Sequence, residues 1–134
     1  MTDDLRNRVD QWIAFWNTGE TTMADLLYAE DYVRHDPTTP GSGPELMKAY
    51  VGMVRQGFPD LHFVLEESII EGERACARWS ATGTFSGPLL GLEPTGKNVV
   101  FSGADILHFR RGKIAESWPC FDQLTMYQQA GLLD

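Results

Sequence analysis

Cysteine is scarce in this chain: Cys76 and Cys120 are the only two, with no CxxC and no Cys/His spacing of the zinc-ligand kind. A disulfide framework and a metal centre are therefore not expected, and the thiols should be reduced and packed as small hydrophobes. Long apolar runs are also missing. None approaches the roughly 20 residues that span a bilayer, and the opening segment MTDDLRNRVD lacks the apolar core of a signal peptide. No membrane partner and a cytoplasmic location are the expectations. Basic residues are few, 11 Lys and Arg against 19 Asp and Glu, for a formal net charge of −8 and a pI near 4.7. They are scattered rather than striped, so a nucleic-acid backbone would be repelled.

What is present is ordinary globular material, 43% hydrophobic and 22% charged, in a length that suits one domain, 1–134, with a real core. Leu5, Val9, Trp12, Ile13 and Trp16 follow the spacing of one helical face, with Gly19 as the stop. A helical turn around Met23 to Tyr28 leads to a short strand, Tyr32 to Asp36, which Pro37 ends. Pro44 fits the first turn of the next helix and Glu45 its positive end. The buried stripe there is Leu46, Met47, Tyr50, Val51 and Val54, closed by Gly57 and Pro59.

From Leu61 the period changes. LHFVLEESII and ACARWSATGTF flank a Gly-containing turn, and NVVFSGADILHF and KIAESWPCFDQL flank Arg111-Gly112. Between the hairpins, SGPLLGLEPTGK carries leucines that a fully solvated loop would not need, so it is read as a pocket rim or a cover over the core. Helices first and antiparallel strands after exclude a doubly wound parallel sheet. The fold class is α+β: a curved, cone-shaped antiparallel sheet with the N-terminal helices packed on its concave face.

A series of short pieces occurs in order: Tyr32-Val33-Arg34-His35-Asp36-Pro37, Phe58-Pro59-Asp60-Leu61, Glu71-Gly72-Glu73-Arg74, Arg78-Trp79, Gly83-Thr84, Pro94-Thr95-Gly96-Lys97, Gly112-Lys113-Ile114 and Glu116-Ser117-Trp118. Asp122 and Gln129-Ala130-Gly131 complete it. In this the chain resembles the SnoaL-like polyketide cyclases of the nuclear transport factor 2-like superfamily. The resemblance implies a single SnoaL-like domain and an enzyme that closes rings by intramolecular aldol condensation without a cofactor. It also implies an acid/base aspartate on the last strand, a position that Asp122 matches.

If Arg111-Gly112 is a two-residue primed turn, Phe109 faces Ile114, Leu107 faces Glu116, Asp105 faces Trp118, Gly103 faces Cys120 and Phe101 faces Asp122. One largely apolar face then carries Asp105 and Asp122. Burial against aromatic rings and a second carboxylate would both raise a carboxylate pKa toward neutrality, which proton abstraction next to a carbonyl requires. The competing reading makes Asp122 a helix cap. His35 could donate to an enolate oxygen or be a satisfied turn residue. Trp12, Trp16, Tyr28, Tyr50, Phe101 and Trp118 are candidate walls for a hydrophobic small-molecule substrate, or core residues. Cys120 joins that list as a poor donor where some cyclases carry a polar group.

Two other functions compete with a cyclase or isomerase. A limonene-type epoxide hydrolase would use Asp105 and Asp122, but Gly103 stands where its arginine is expected. A non-catalytic module would hold a small molecule in its cone or bind only a partner protein, and as a pure scaffold it would have a filled interior. The outer sheet face, with Val100, Ala104 and Ile106, is apolar enough to expect a homodimer.

Overall fold

The computed structural model describes residues 2–36, 39 and 41–133. Pro37, expected to end the first strand, lies outside them. Helix α1 (Thr2–Thr18) buries Leu5, Val9, Trp12 and Trp16 as its spacing requires, together with Phe15. It stops at Gly19, whose φ of 71° lets its amide donate to the Phe15 carbonyl at 2.7 Å. Helix α2 (Thr21–Leu27) then passes directly into β1 (Tyr28–Arg34), so the strand starts four residues before the expected Tyr32. Tyr28 and Tyr32 are both fully buried, and the two aromatic side chains hold this segment extended against the core.

Helix α3 (Gly43–Gly57) has Pro44 in its first turn and buries Met47 and Val51. The strands that follow are β2 (His62–Glu71), β3 (Arg74–Thr84), β4 (Asn98–Arg110) and β5 (Lys113–Phe121), and α4 (Gln123–Gln129) closes the chain. The sheet order is β1-β5-β4-β3-β2. Strands β2 to β5 pair antiparallel as expected, whereas β1 joins the edge of β5 in parallel, with Arg34 opposite Ser117. The sheet is curved and unclosed, and α1 and α3 cover its concave face.

Two side chains lock the helices to the sheet. Asn17, near the end of α1, donates to the Phe63 carbonyl at 3.0 Å and accepts from the Phe63 amide at 2.7 Å. Arg55 donates to the carbonyls of Trp16, Pro59 and Leu61, satisfying the orphan acceptors of a helix end and the α3–β2 connection.

The hairpins hold the main departure from the expected register. Arg111 and Gly112 have φ of 54° and 78°, the two positive values of a primed turn, and Phe109 does face Ile114. A β-bulge then intervenes: His108 faces Glu116, leaving Ala115 as an extra residue on β5. Ile114 and Ala115 are consecutively buried, as such an insertion allows.

Beyond the bulge every expected β5 pair slips by one. Leu107 faces Ser117, Asp105 faces Pro119 and Gly103 faces Phe121. Because side chains alternate, a one-residue slip moves Glu116, Trp118 and Cys120 to the outer face and turns Ser117, Pro119 and Phe121 inward. Cys120 is consequently exposed and Cys76 half-buried, so the thiols are not the packed hydrophobes expected. Val100 and Ile106 lie on the outer face as read from the sequence, both exposed. No helix among the described residues is long and apolar enough to cross a membrane.

Candidate active site

A cavity of about 620 Å³ opens between the helices and the concave sheet face. Trp12 and Trp16 of α1 and Tyr50 and Met53 of α3 form one wall, and Phe63, Trp79, Phe101 and Phe121 form the other. Gln123, Met126 and Tyr127 of α4 border it. The segment between β3 and β4 is a rim, not a mere cover. Its Leu89 and Leu90 line the cavity, and it docks on α3 where the Ser86 and Gly87 amides both donate to the Gly57 carbonyl at 3.2 Å. Two charged side chains line this largely apolar space among the described residues, Asp105 and Arg34.

Asp105 points inward because β4 alternates Phe101, Gly103, Asp105 and Leu107 on its concave side. It is 5% exposed. The Trp79 indole donates to its Oδ1 at 2.9 Å. That bond depends on Gly103: a Cβ there would lie 2.8 Å from Trp79 Cζ2 and 2.5 Å from Phe121 Cβ. Glycine thus lets the indole of β3 cross β4 and reach the carboxylate. Burial pushes Asp105 up to a pKa of about 6, against the lowering effects of the Trp79 hydrogen bond and the Arg34 charge; Asp36 adds a smaller raising effect. Burial thus keeps Asp105 protonated to a higher pH than an exposed carboxylate.

Arg34 arrives from β1, where the two-residue period places it on the same side as Tyr32. It is 6% exposed, its guanidinium sits 4.8 Å over the Tyr50 ring, and Nε lies 3.6 Å from Asp36 Oδ2. At that separation the ion pair is too long for a hydrogen bond, and Nε is buried without one. Behind it the Tyr32 and Ser117 hydroxyls share a 2.6 Å hydrogen bond, and burial raises the pKa of Tyr28, Tyr32 and Tyr50, keeping all three phenols neutral.

Of the residues expected at the site, Trp12, Trp16, Tyr50, Phe101 and Asp105 come together around the cavity. Tyr28 does not line it, being packed edge-on to Phe15 within the core. Asp122 is not opposite Phe101. It is the exposed N-cap of α4, accepting from the Thr125 amide at 3.0 Å and the Thr125 hydroxyl at 2.7 Å, and those bonds hold its pKa below the usual value. Trp118 and Cys120 stand outside because of the bulge. His35 is outside too: its ring stacks on Trp118 at 4.6 Å, and its Nε2 shares a 2.7 Å hydrogen bond with Glu116. His108 packs on the other contact of that indole at 4.5 Å. Arg34 and Trp79 were not singled out as site residues, although alternation along Tyr32-Val33-Arg34 was enough to place the arginine beside a buried tyrosine.

The profile of the SnoaL-like polyketide cyclases matches residues 6–130. Aklanonic acid methyl ester cyclase AcmA of Streptomyces galilaeus is 36% identical over 137 residues, covering 92% of this chain and 88% of that protein. Among solved structures, TsrD from Streptomyces laurentii superposes with a TM-score of 0.89 at 26% identity, covering 98% of this chain and 97% of that one. A Bacillus cereus protein provisionally named a polyketide cyclase has a TM-score of 0.85 at 30% identity, covering 98% and 83%.

Proposed function

Because the chain belongs to the SnoaL-like polyketide cyclase family, we propose that it closes a ring in a polyketide-like, carbonyl-bearing small molecule, with Asp105 rather than Asp122 as the proton-transfer group. The observation that carries this reading is a single carboxylate, among the described lining residues, buried in an apolar cavity with a pKa of about 6. The ionised carboxylate takes the proton from a carbon next to a carbonyl. The resulting enolate carbon attacks a second carbonyl of the same molecule, forming the ring C–C bond, and the new alkoxide takes the proton back from Asp105. Atoms and electrons balance without an oxidant, a reductant or a metal. Trp79 positions the carboxylate, and the aromatic walls exclude water from the enolate and press the chain into a folded shape. An open cavity with a perturbed carboxylate also argues against the filled interior of a scaffold.

The test is ring closure of aklanonic acid methyl ester, the compound in the AcmA name, by wild type, Asp105→Asn and Asp122→Asn. Loss of turnover in Asp105→Asn alone supports the assignment. Loss in Asp122→Asn alone returns the role to the last strand.

One observation favours a second reading. Arg34 stands near both Asp36 and Asp105, a cation among carboxylates that could hold a water for epoxide opening, supplied from β1 instead of position 103. Incorporation of labelled oxygen from water into an epoxide-derived diol would select it.

A further inference from the structure

Abstraction of a substrate proton by Asp105 moves one negative charge from the carboxylate to a substrate oxygen, and the cavity must stabilise it there. Water solvates a charge poorly in a space walled largely by tryptophan, phenylalanine and leucine. Arg34 is the sole cation among the described lining residues. Its desolvation is already met by the fold, through the Tyr50 ring beneath it and Asp36 at 3.6 Å. Tyr32 bonds the same side chain, and Nε, fully buried, has no partner and is not the atom a ligand would meet. What the cavity presents at Arg34 is a fixed positive charge whose N–H groups donate and never accept, so an oxyanion is the ligand that this wall favours. The groups that face it are neutral phenols (Tyr28, Tyr32, Tyr50) and the carboxylates Asp36 and Asp105. Of these, Asp105 is the one that loses its charge when it accepts a proton.

We propose that Arg34 is an oxyanion-binding residue of this cavity, so that the site selects small molecules presenting an enolate, phenolate or comparable ionised oxygen toward β1. The inference rests on the Asp105 reading for its place in the reaction, but anion selection by the cavity is measurable without any turnover.

The probes are 2-naphthol, which ionises, and 2-methoxynaphthalene, which has the same shape and does not. A naphthol ionises above the pKa of about 6 of Asp105, so the binding is measured in Asp105→Asn, whose side chain is neutral as that of Asp105 is once it holds the substrate proton. This protein should bind the naphthol with the ligand's pKa lowered by about one unit, a preference of about tenfold for naphtholate over naphthol. This is read from the absorption of the bound ligand across a pH series. Adding Arg34→Gln should abolish that shift while holding the methyl ether within about twofold, which also shows that the variant is folded, and adding Arg34→Lys should keep part of it. An unshifted or raised naphthol pKa in Asp105→Asn, a shift that survives Arg34→Gln, or no binding of either probe would overturn the assignment. If the Arg34→Gln protein does not fold, Arg34→Lys and the Asp105→Asn shift decide. Failure of the acid/base reading appears separately, as unchanged ring closure by Asp105→Asn with the naphthol result intact.

Discussion

At the scale of the residue, Asp105 is held in the protonation range where one group can serve as both base and acid, and it is held there at a cost. Its folded pKa of about 6 lies above the ordinary carboxylate value, so the folded state retains a proton that the unfolded chain has released. Stability is then greatest below the unfolded pKa and falls as pH rises through about 6, because the ionised carboxylate is buried. Asp105→Asn keeps an acceptor for the Trp79 indole and removes that charge. It should be more stable than wild type at about pH 8, by on the order of 3 kcal/mol, with the gap closing below about pH 4. Urea denaturation at the two pH values measures this. In ring closure the same variant should lose roughly 10²- to 10⁴-fold in kcat. Asp122 behaves in the opposite sense. Its lowered pKa makes its cap most useful above the unfolded value, and the contribution is lost as pH falls. Asp122→Ala should loosen α4, seen as faster amide exchange at Thr125, and Asp122→Asn should leave turnover near wild type.

At the scale of the element, the bulge in β5 decides which side chains reach the cavity. Without it Trp118 and Cys120 would face inward, and with it Phe121 does. Thiol titration of the native protein reads this out: Cys120 should react quickly with an aromatic disulfide reagent and the half-buried Cys76 slowly, whereas a regular hairpin would protect Cys120. The opposing strand is as constrained. Gly103→Ala puts a methyl group 2.6 Å from the Cys120 carbonyl oxygen and against Phe121 and Trp79. It should cost about 1–3 kcal/mol and displace the indole from Asp105, lowering kcat more than the loss of stability explains. The helical stripes of α1 and α3 and the primed turn at Arg111-Gly112 were legible because each rests on a local rule of spacing or backbone angle. The bulge was not, since Ala115 is as acceptable in a regular strand as in a distorted one.

At the scale of the whole molecule, the convex face carries Val64, Ile69, Val100 and Ile106 at 45%, 64%, 60% and 46% exposure, with Ile69 and Ile106 both paired to Cys76 and the Glu67–Arg78 ion pair between them and Val64. A second copy of the chain on this face is the expected occupant. Ile106→Lys should shift a dimer toward monomer in sedimentation at micromolar concentration, and a wild type already monomeric there would refute the pairing.

Sequence alone determined the α+β class, the order of elements, the family and five of the residues around the cavity, because amphipathic spacing, turn chemistry and short ordered motifs are properties of neighbouring positions. Only the tertiary structure decided that Asp105, not Asp122, is the buried carboxylate, and that Arg34 from the parallel edge strand shares its space. Both outcomes depend on register: one extra residue in the β4–β5 hairpin reverses which face a side chain occupies, and β1 pairs with β5, a strand far from it in the chain.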